Sequence, residues 1–497
     1  MARQLTTKAQ VNGYRFLLRR LEHALVRRDV RMLHDPMRSQ VRALVVGAVA
    51  ALLVLAGFGV WGLIRPQGSV GDARIVMSRN GGGNYVLIDG TLHPVLNLAS
   101  ARLITGSNES PKTVSDATLI RYPRGPLLGI PGAPATLPAA AHEGQSFWTV
   151  CDSTDTSPGA ADGAVDLTVI GDQPTLGHGA DPARDNDGLF VIDGGTAYLI
   201  YTVDRHGVRT SVRARVDTDS VPVMRALHLE GATPRTMSSG LLNTFPEVEP
   251  IEVPRIDNAG ERGPLADDGV LIGSVIKTVG LDDADTFYVV LADGVQRIGA
   301  MSAELLRLAD RGGDAPVHTV APGQVAAVPT SSSLPISEFP QRAPDLVDMM
   351  RSSTVCRGWS RGDGDAVAAT SWLLGHRLPL PEAATPVRMS AADGPGPGVD
   401  RVYLRPGSGA YVQATGTETA SARAESRYFI SDVGVRFGVA DADTGTILGL
   451  GQTPAMVPWS VISLLTPGPT LSRTAALVAH DGIAPDPDGQ VISAPEN

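Results

Sequence analysis

Three hydrophobic periodicities divide the chain. Over residues 5–35, Val11, Tyr14, Leu17, Leu18, Leu21 and Leu25 recur at helical spacing among arginines, and Thr7 followed by Gln10 fits a capping box. This predicts a basic amphipathic helix, with Pro36 ending the segment before Met37–Arg42 leads onward. Residues 43–64 then run for 22 positions without a charge. As a helix rising about 1.5 Å per residue, that run covers about 33 Å and crosses the hydrocarbon core of a bilayer. Beyond Arg65 the period changes to two, in short apolar runs broken by glycine and proline.

One theme recurs in this last part: an apolar or aromatic strand, an Asp-Gly type turn, then a second apolar strand. It stands at 84–98 (NYVLIDGTLHPVLNL), 189–203 (LFVIDGGTAYLIYTV), 287–301 (FYVVLADGVQRIGAM) and 427–441 (RYFISDVGVRFGVAD). Glycine accepts positive φ and aspartate tolerates the left-handed region, so these turns predict tight hairpins. Helical stretches follow, as at 302–308 and 460–465. The turn residues Asp89, Asp193, Asp293 and Asp432 are irregularly spaced, which excludes a solenoid of short fixed period. Proline-rich stretches at 123–138, 246–264 and 395–397 separate the hairpins. The expected architecture is a single-span membrane protein with a helix at 1–42, a span at 43–64 and an α+β region. In that region, repeat modules of hairpin plus helix occupy 65–122, 187–262, 263–320 and 401–484. A central domain is built from 123–186 and 321–400, and 485–497 forms a disordered tail.

Charge adds an orientation. Residues 1–42 hold ten Arg/Lys against three Asp/Glu, about +7, while the remainder holds 32 against 49, about −17. The positive-inside rule puts the basic flank in the cytoplasm and everything after Arg65 outside the plasma membrane. A cleaved signal peptide would need a basic region of 42 residues and an apolar region of 22, both outside the usual pattern. Cys151 and Cys356, the only cysteines, then lie where disulfides persist. Their placement favours a bridge, with two buried thiols as the alternative.

Residues 6–40 (TTKAQVNGYRFLLRRLEHALVRRDVRMLHDPMRSQ), followed at once by the span, closely resemble the N-terminus of the EccB family. These are membrane components of mycobacterial and actinobacterial type VII (ESX) secretion systems. The likeness continues through 92–106 (LHPVLNLASARLITG), 123–134 (PRGPLLGIPGAP), 147–152 (FWTVCD), 287–298 (FYVVLADGVQRI) and 447–481, covering nearly the whole chain. CRGWS at 356–360 departs from the family pattern, which has an aromatic directly after the cysteine. The resemblance implies a subunit that assembles with the ATPase subunit EccC, with EccD and with EccE. Outside the membrane it would contact other EccB copies and the mycosin protease. It also implies four repeat domains on a central domain.

Because members of this family are described as ATPases, a nucleotide site is the first chemistry to seek. GSNESPKT, Gly106 to Thr113, matches a phosphate loop except that Pro111 replaces the second glycine. Proline lacks an N–H and cannot take positive φ, so a phosphate-cradling donor is lost there. Gly106, Lys112 and Thr113 are the only ATP candidates, and Lys277-Thr278 has the wrong spacing. Zinc-type Cys/His pairs, HExxH and GxSxG are missing from the sequence. The acidic clusters 185–188 and 441–443 do not supply a calcium ligand set. The expectation is therefore a subunit without catalytic residue, metal or cofactor, which scaffolds and dimerises on the outer side and binds no nucleic acid. An ATP-hydrolysing subunit and a cell-wall-binding module are the alternatives. On the cytoplasmic side, the stripe Tyr14, Leu17, Leu21 and Leu25 is expected to dock on a partner, a lipid surface being the alternative.

Overall fold

The computed structural model describes the chain except residues 1–6, 29–35, 65–69, 139–143, 155–164, 206, 266–268, 281–283, 311–315, 349–351, 395 and 485–497. The expected disordered tail lies outside the described residues, as do both ends of the expected 5–35 helix. The chain divides into two units, 1–71 and 72–497.

In the first unit, helix α1 (Lys8–Arg27) starts at Thr7, whose N–H donates to the Gln10 side chain at 3.0 Å. It stops where Arg28 turns left-handed (φ 54°). Helix α2 (Pro36–Ile64) corrects the reading of Pro36 as a terminator. Proline stands at the first helical position, where its missing N–H has no intrahelical acceptor to lose and its fixed φ suits the helix. Within α2, Gln40–Trp61 is long and apolar enough to cross a membrane.

The second unit is mixed α/β. Four of its sheets share one order: a three-stranded antiparallel meander, a helix, a strand parallel to the first, a short helix, and a return parallel to the third. The first meander comprises Ile75–Ser78, Asn84–Ile88 and Thr91–Val95. Helix Leu98–Thr105, strand Lys112–Val114, helix Asp116–Leu119 and strand Leu127–Leu128 follow. The second meander starts at Asp187–Asp193 and its returns end at Ile251. The third starts at Val275–Val279 and ends at Thr330. The fourth starts at Gly409–Thr415 and ends at Thr466–Pro467. The helices that follow the first and fourth meanders are capped alike. Asn97 and Asp441 each accept a first-turn N–H, at 2.9 and 2.7 Å, and Gly106 and Gly449 close the two helices at φ 66° and 78°.

All four turns join paired strands, but each by different means. Asp89 and Gly90 both take positive φ (46° and 78°), the geometry of a two-residue hairpin turn. In the second case Gly194 and Gly195 make the turn and Asp193 is the last strand residue. Gly294 is needed for space, since a Cβ there would lie 2.1 Å from the Pro329 carbonyl. The turn at Asp432 is a longer loop with Gly434 at φ 81°. One alignment is also corrected. The Asp193 turn joins the first and second strands of its meander, whereas the other three join the second and third. The helix-preceding hairpin of the second meander is Thr196–Arg205 with Val208–Arg215. Alternation alone does not say which of two consecutive hairpins precedes a helix.

Chain order is not spatial order. The first and fourth meanders share one apolar core, through Ile75, Val86 and Leu103 on one side and Phe429, Phe437 and Leu448 on the other. Arg102 also donates to the Leu448 carbonyl at 2.5 Å. The second and third share another core, through Tyr201, Val212 and Leu227 and through Val289, Met301 and Leu305. The second and fourth both pack on the fifth sheet, which has seven strands. Proline-rich 123–138 contributes Leu127–Leu128 to the first sheet, and Ala479–His480 pairs with that strand at the sheet's edge.

Candidate functional site

The seven-stranded sheet is the junction of the second unit. Its middle strands, Gln145–Thr154 and Thr354–Gly362, are antiparallel and place Cys151 directly opposite Cys356, where they form a buried disulfide. The same register places Trp148 opposite Trp359. Three residues separate cysteine from tryptophan on each strand, so the two pairs point to opposite faces. The disulfide face is closed by Ile170, Leu373 and Leu380. The tryptophan face, joined by Trp372, receives Leu241, Leu242 and Phe245 from the second meander region and Val412, Val457 and Val461 from the fourth. The approach is close. A Cβ on Gly240 would lie 2.4 Å from a Leu167 methyl and 3.1 Å from a Leu464 methyl, so that helix is held between the sheet and the fourth region.

Charged groups are sealed into this junction. Asp152 is fully buried and accepts from the Ser238 N–H at 2.8 Å and the Ser238 hydroxyl at 2.6 Å. Ser238 in turn caps the helix Ser239–Leu242. Burial pushes the Asp152 carboxyl up to about 7, opposed by the Ser238 bonds and the Arg235 charge. Arg235, lowered by burial, reaches across to the Ser352 and Ser353 carbonyls, both at 2.6 Å, and to the Thr154 hydroxyl at 2.9 Å. Asp400 accepts from the Leu167 and Gly394 N–H groups, each at 2.7 Å. Arg357, lowered to about 10 by burial, lies 5.0 Å from the Phe245 ring centre. These groups fix one meander region and one loop to the central strands, and removing a hydrogen-bond partner leaves a buried polar group unsatisfied, at about 1–3 kcal/mol.

The sequence did not single out Asp152, Ser238, Arg235, Asp400 or Arg357. A signal was present in FWTVCD and STVCRGW: each buried cysteine is followed by a charge, and the tryptophans stand three positions before one and three after the other.

The phosphate-loop candidates are placed the wrong way round. Such a loop runs from a strand into a helix N-terminus, where N–H groups and the positive dipole end meet the phosphates. Here Gly106 closes the C-terminus of Leu98–Thr105, the negative end, and Lys112 and Thr113 are exposed at the start of a strand. Tyr14, Leu17, Leu21 and Leu25 lie on one exposed face of α1. Among the described residues there is no cluster of three or more potential metal ligands.

Known proteins match this arrangement along its length. The family model for "Type VII secretion system ESX-1, transport TM domain B" (EccB) matches residues 3–485. "ESX-1 secretion system ATPase EccB1" of Mycobacterium tuberculosis (strain ATCC 25618 / H37Rv) is 34% identical over 499 residues, 99% of each chain. A chain in the structure of an intact ESX-5 inner membrane complex superposes with TM-score 0.72 at 32% identity, covering 99% of both chains. The structure of an EccB3 dimer from the ESX-3 core complex aligns with TM-score 0.70 at 33% identity, over 82% of this chain and all of that one.

Proposed function

The chain belongs to the EccB family of type VII secretion membrane subunits, and from that premise we propose that it is a structural, non-catalytic subunit of an inner membrane secretion complex. The match over 99% of both chains to a subunit within such a complex carries this reading. In it, α2 spans the membrane once, the basic α1 is cytoplasmic and residues 72–497 stand outside. The four meander units are repeats of one module, borne by the disulfide-bonded sheet as a central domain. The outer unit pairs with a second copy, as its EccB3 relative does. The apolar face of α1 docks on the cytoplasmic parts of EccC, EccD or EccE, and the outer unit meets the mycosin protease.

Affinity purification of the tagged chain from its native membranes tests this. EccC, EccD, EccE and a second copy are expected in the eluate, and a chain recovered alone overturns the reading. The name of the EccB1 relative favours an alternative, ATP hydrolysis. The reversed geometry at Gly106–Thr113 and the missing donor at Pro111 argue against it, because phosphoryl transfer depends on a positioned backbone cradle. Lys112→Ala separates the two: loss of both secretion and ATPase turnover supports the enzyme, and intact secretion with only trace hydrolysis that the substitution leaves unchanged supports the scaffold. A wall-binding module is tested by sedimentation with purified cell-wall material.

A further inference from the structure

Among the described residues of the outer unit, the most exposed large apolar side chain is Ile120, 82% exposed, directly after the short helix Asp116–Leu119. Arg121 and Arg124 follow it, both exposed, with Tyr122 between them. Topology fixes where this segment leads. The Leu92 N–H bonds the Pro123 carbonyl, and Leu92 and Arg124 form a parallel bridge, so the segment arrives at the start of the third meander strand. That end of the sheet is also the start of Ile75–Ser78, the strand the chain enters first after the span, because Leu87 bonds back to the Arg74 carbonyl. Lys112, beside Val76, begins its strand at the same end. Ala479–His480 runs antiparallel to Leu127–Leu128, so the chain heads there too, and Ile483 is 51% exposed.

We propose that this end of the first meander, led by Ile120, Arg121 and Arg124, rests on an anionic phospholipid surface. This rests on α2 being a membrane span. Three observations name lipid as the occupant. Only five residues, 65–69, separate Ile64 from Val70, and five residues of fully extended chain reach about 17–18 Å. Charge is the second. Arg74, Lys112, Arg121 and Arg124 stand at this end against Asp72, Asp89 and Asp481, and residues 75–130 as a whole hold five Arg/Lys against three Asp/Glu, whereas the other meander regions hold six against eight (187–251), four against seven (275–330) and three against five (409–471). An exposed aliphatic flanked by arginines and a tyrosine is the third, since such groups seat at the boundary of headgroups and acyl chains.

The test uses the full chain in nanodiscs of phosphatidylcholine with phosphatidylglycerol, carrying an environment-sensitive fluorophore at Ile120→Cys, or at Val433→Cys as an exposed control on the fourth meander. Blue-shifted emission at 120, quenched by spin-labelled lipid with the label about 5–10 Å deep, is expected, with no such quenching at 433. Arg121→Glu with Arg124→Glu should weaken the contact about fivefold per charge, and only where phosphatidylglycerol is present. Emission at 120 equal to that at 433, or a blue shift that lipid quenchers do not touch, overturns the proposal. The readout is the same whichever side of the disc the outer unit occupies, so an error in orientation would not imitate a failure of lipid contact.

Discussion

Among the described residues of 8–61 the large apolar side chains face outward, Leu17, Leu25 and Phe58 among them, whereas among those of 72–497 carboxylates and guanidiniums such as Asp152, Asp400 and Arg357 are sealed inside. Each region shows where its interactions end. An apolar helix surface lowers its free energy only against lipid or another protein, so the first unit is complete only in company. A buried carboxylate that accepts two hydrogen bonds from one serine has its partners within the chain, so the second unit is internally joined.

The comparison breaks most readily at the disulfide. In the chain-entropy model, a bridge between residues 205 apart contributes about 5 kcal/mol. Cys151→Ser with Cys356→Ser should lower the thermal midpoint of the detergent-solubilised chain accordingly. Unchanged unfolding would mean that the central sheet does not hold the second unit together. A somewhat smaller effect is expected from pH. The folded carboxyl of Asp152 lies near 7 against an ordinary 3.8, so its contribution to stability is complete below 3.8 and is lost as pH rises towards 7. Within that window the slope is about 1.4 kcal/mol per pH unit. Asp152→Asn removes this titration, so the stability advantage of the native protein over the variant should shrink from pH 5 to pH 7. A constant difference would show that the carboxyl is not perturbed.

For the first unit, Leu17→Asp with Leu21→Asp should reduce co-purification of cytoplasmic partners at least about tenfold, or about 1.4 kcal/mol, while leaving the chain in the membrane. Full retention of partners would shift α1 to the lipid-surface alternative. Lys112→Ala marks the smallest effect, within about 0.5 kcal/mol of stability, as for a surface position, with secretion intact.

Long, uniform patterns were legible in the sequence: the span, the stripe on α1 and the four turns. The cysteine pairing was legible only as a preference, although the mirrored spacing to Trp148 and Trp359 encodes the register. The buried polar junction was not legible, because Ser238 and Asp152 lie 86 positions apart and each reads singly as a surface residue. Nor was the pairing of the first meander with the fourth, since nearest-neighbour patterns carry no information about which separate cores merge.

The edge strand Ala479–His480 sets a timetable. It completes the sheet of the first meander, and the His480 ring meets the Gly129 carbonyl at 2.8 Å across 351 positions. At a synthesis rate of about 5–20 residues per second, those 351 positions take roughly 20–70 s to make. During synthesis the first sheet therefore waits with an open edge, a period in which another strand could occupy the place kept for residues 479–480.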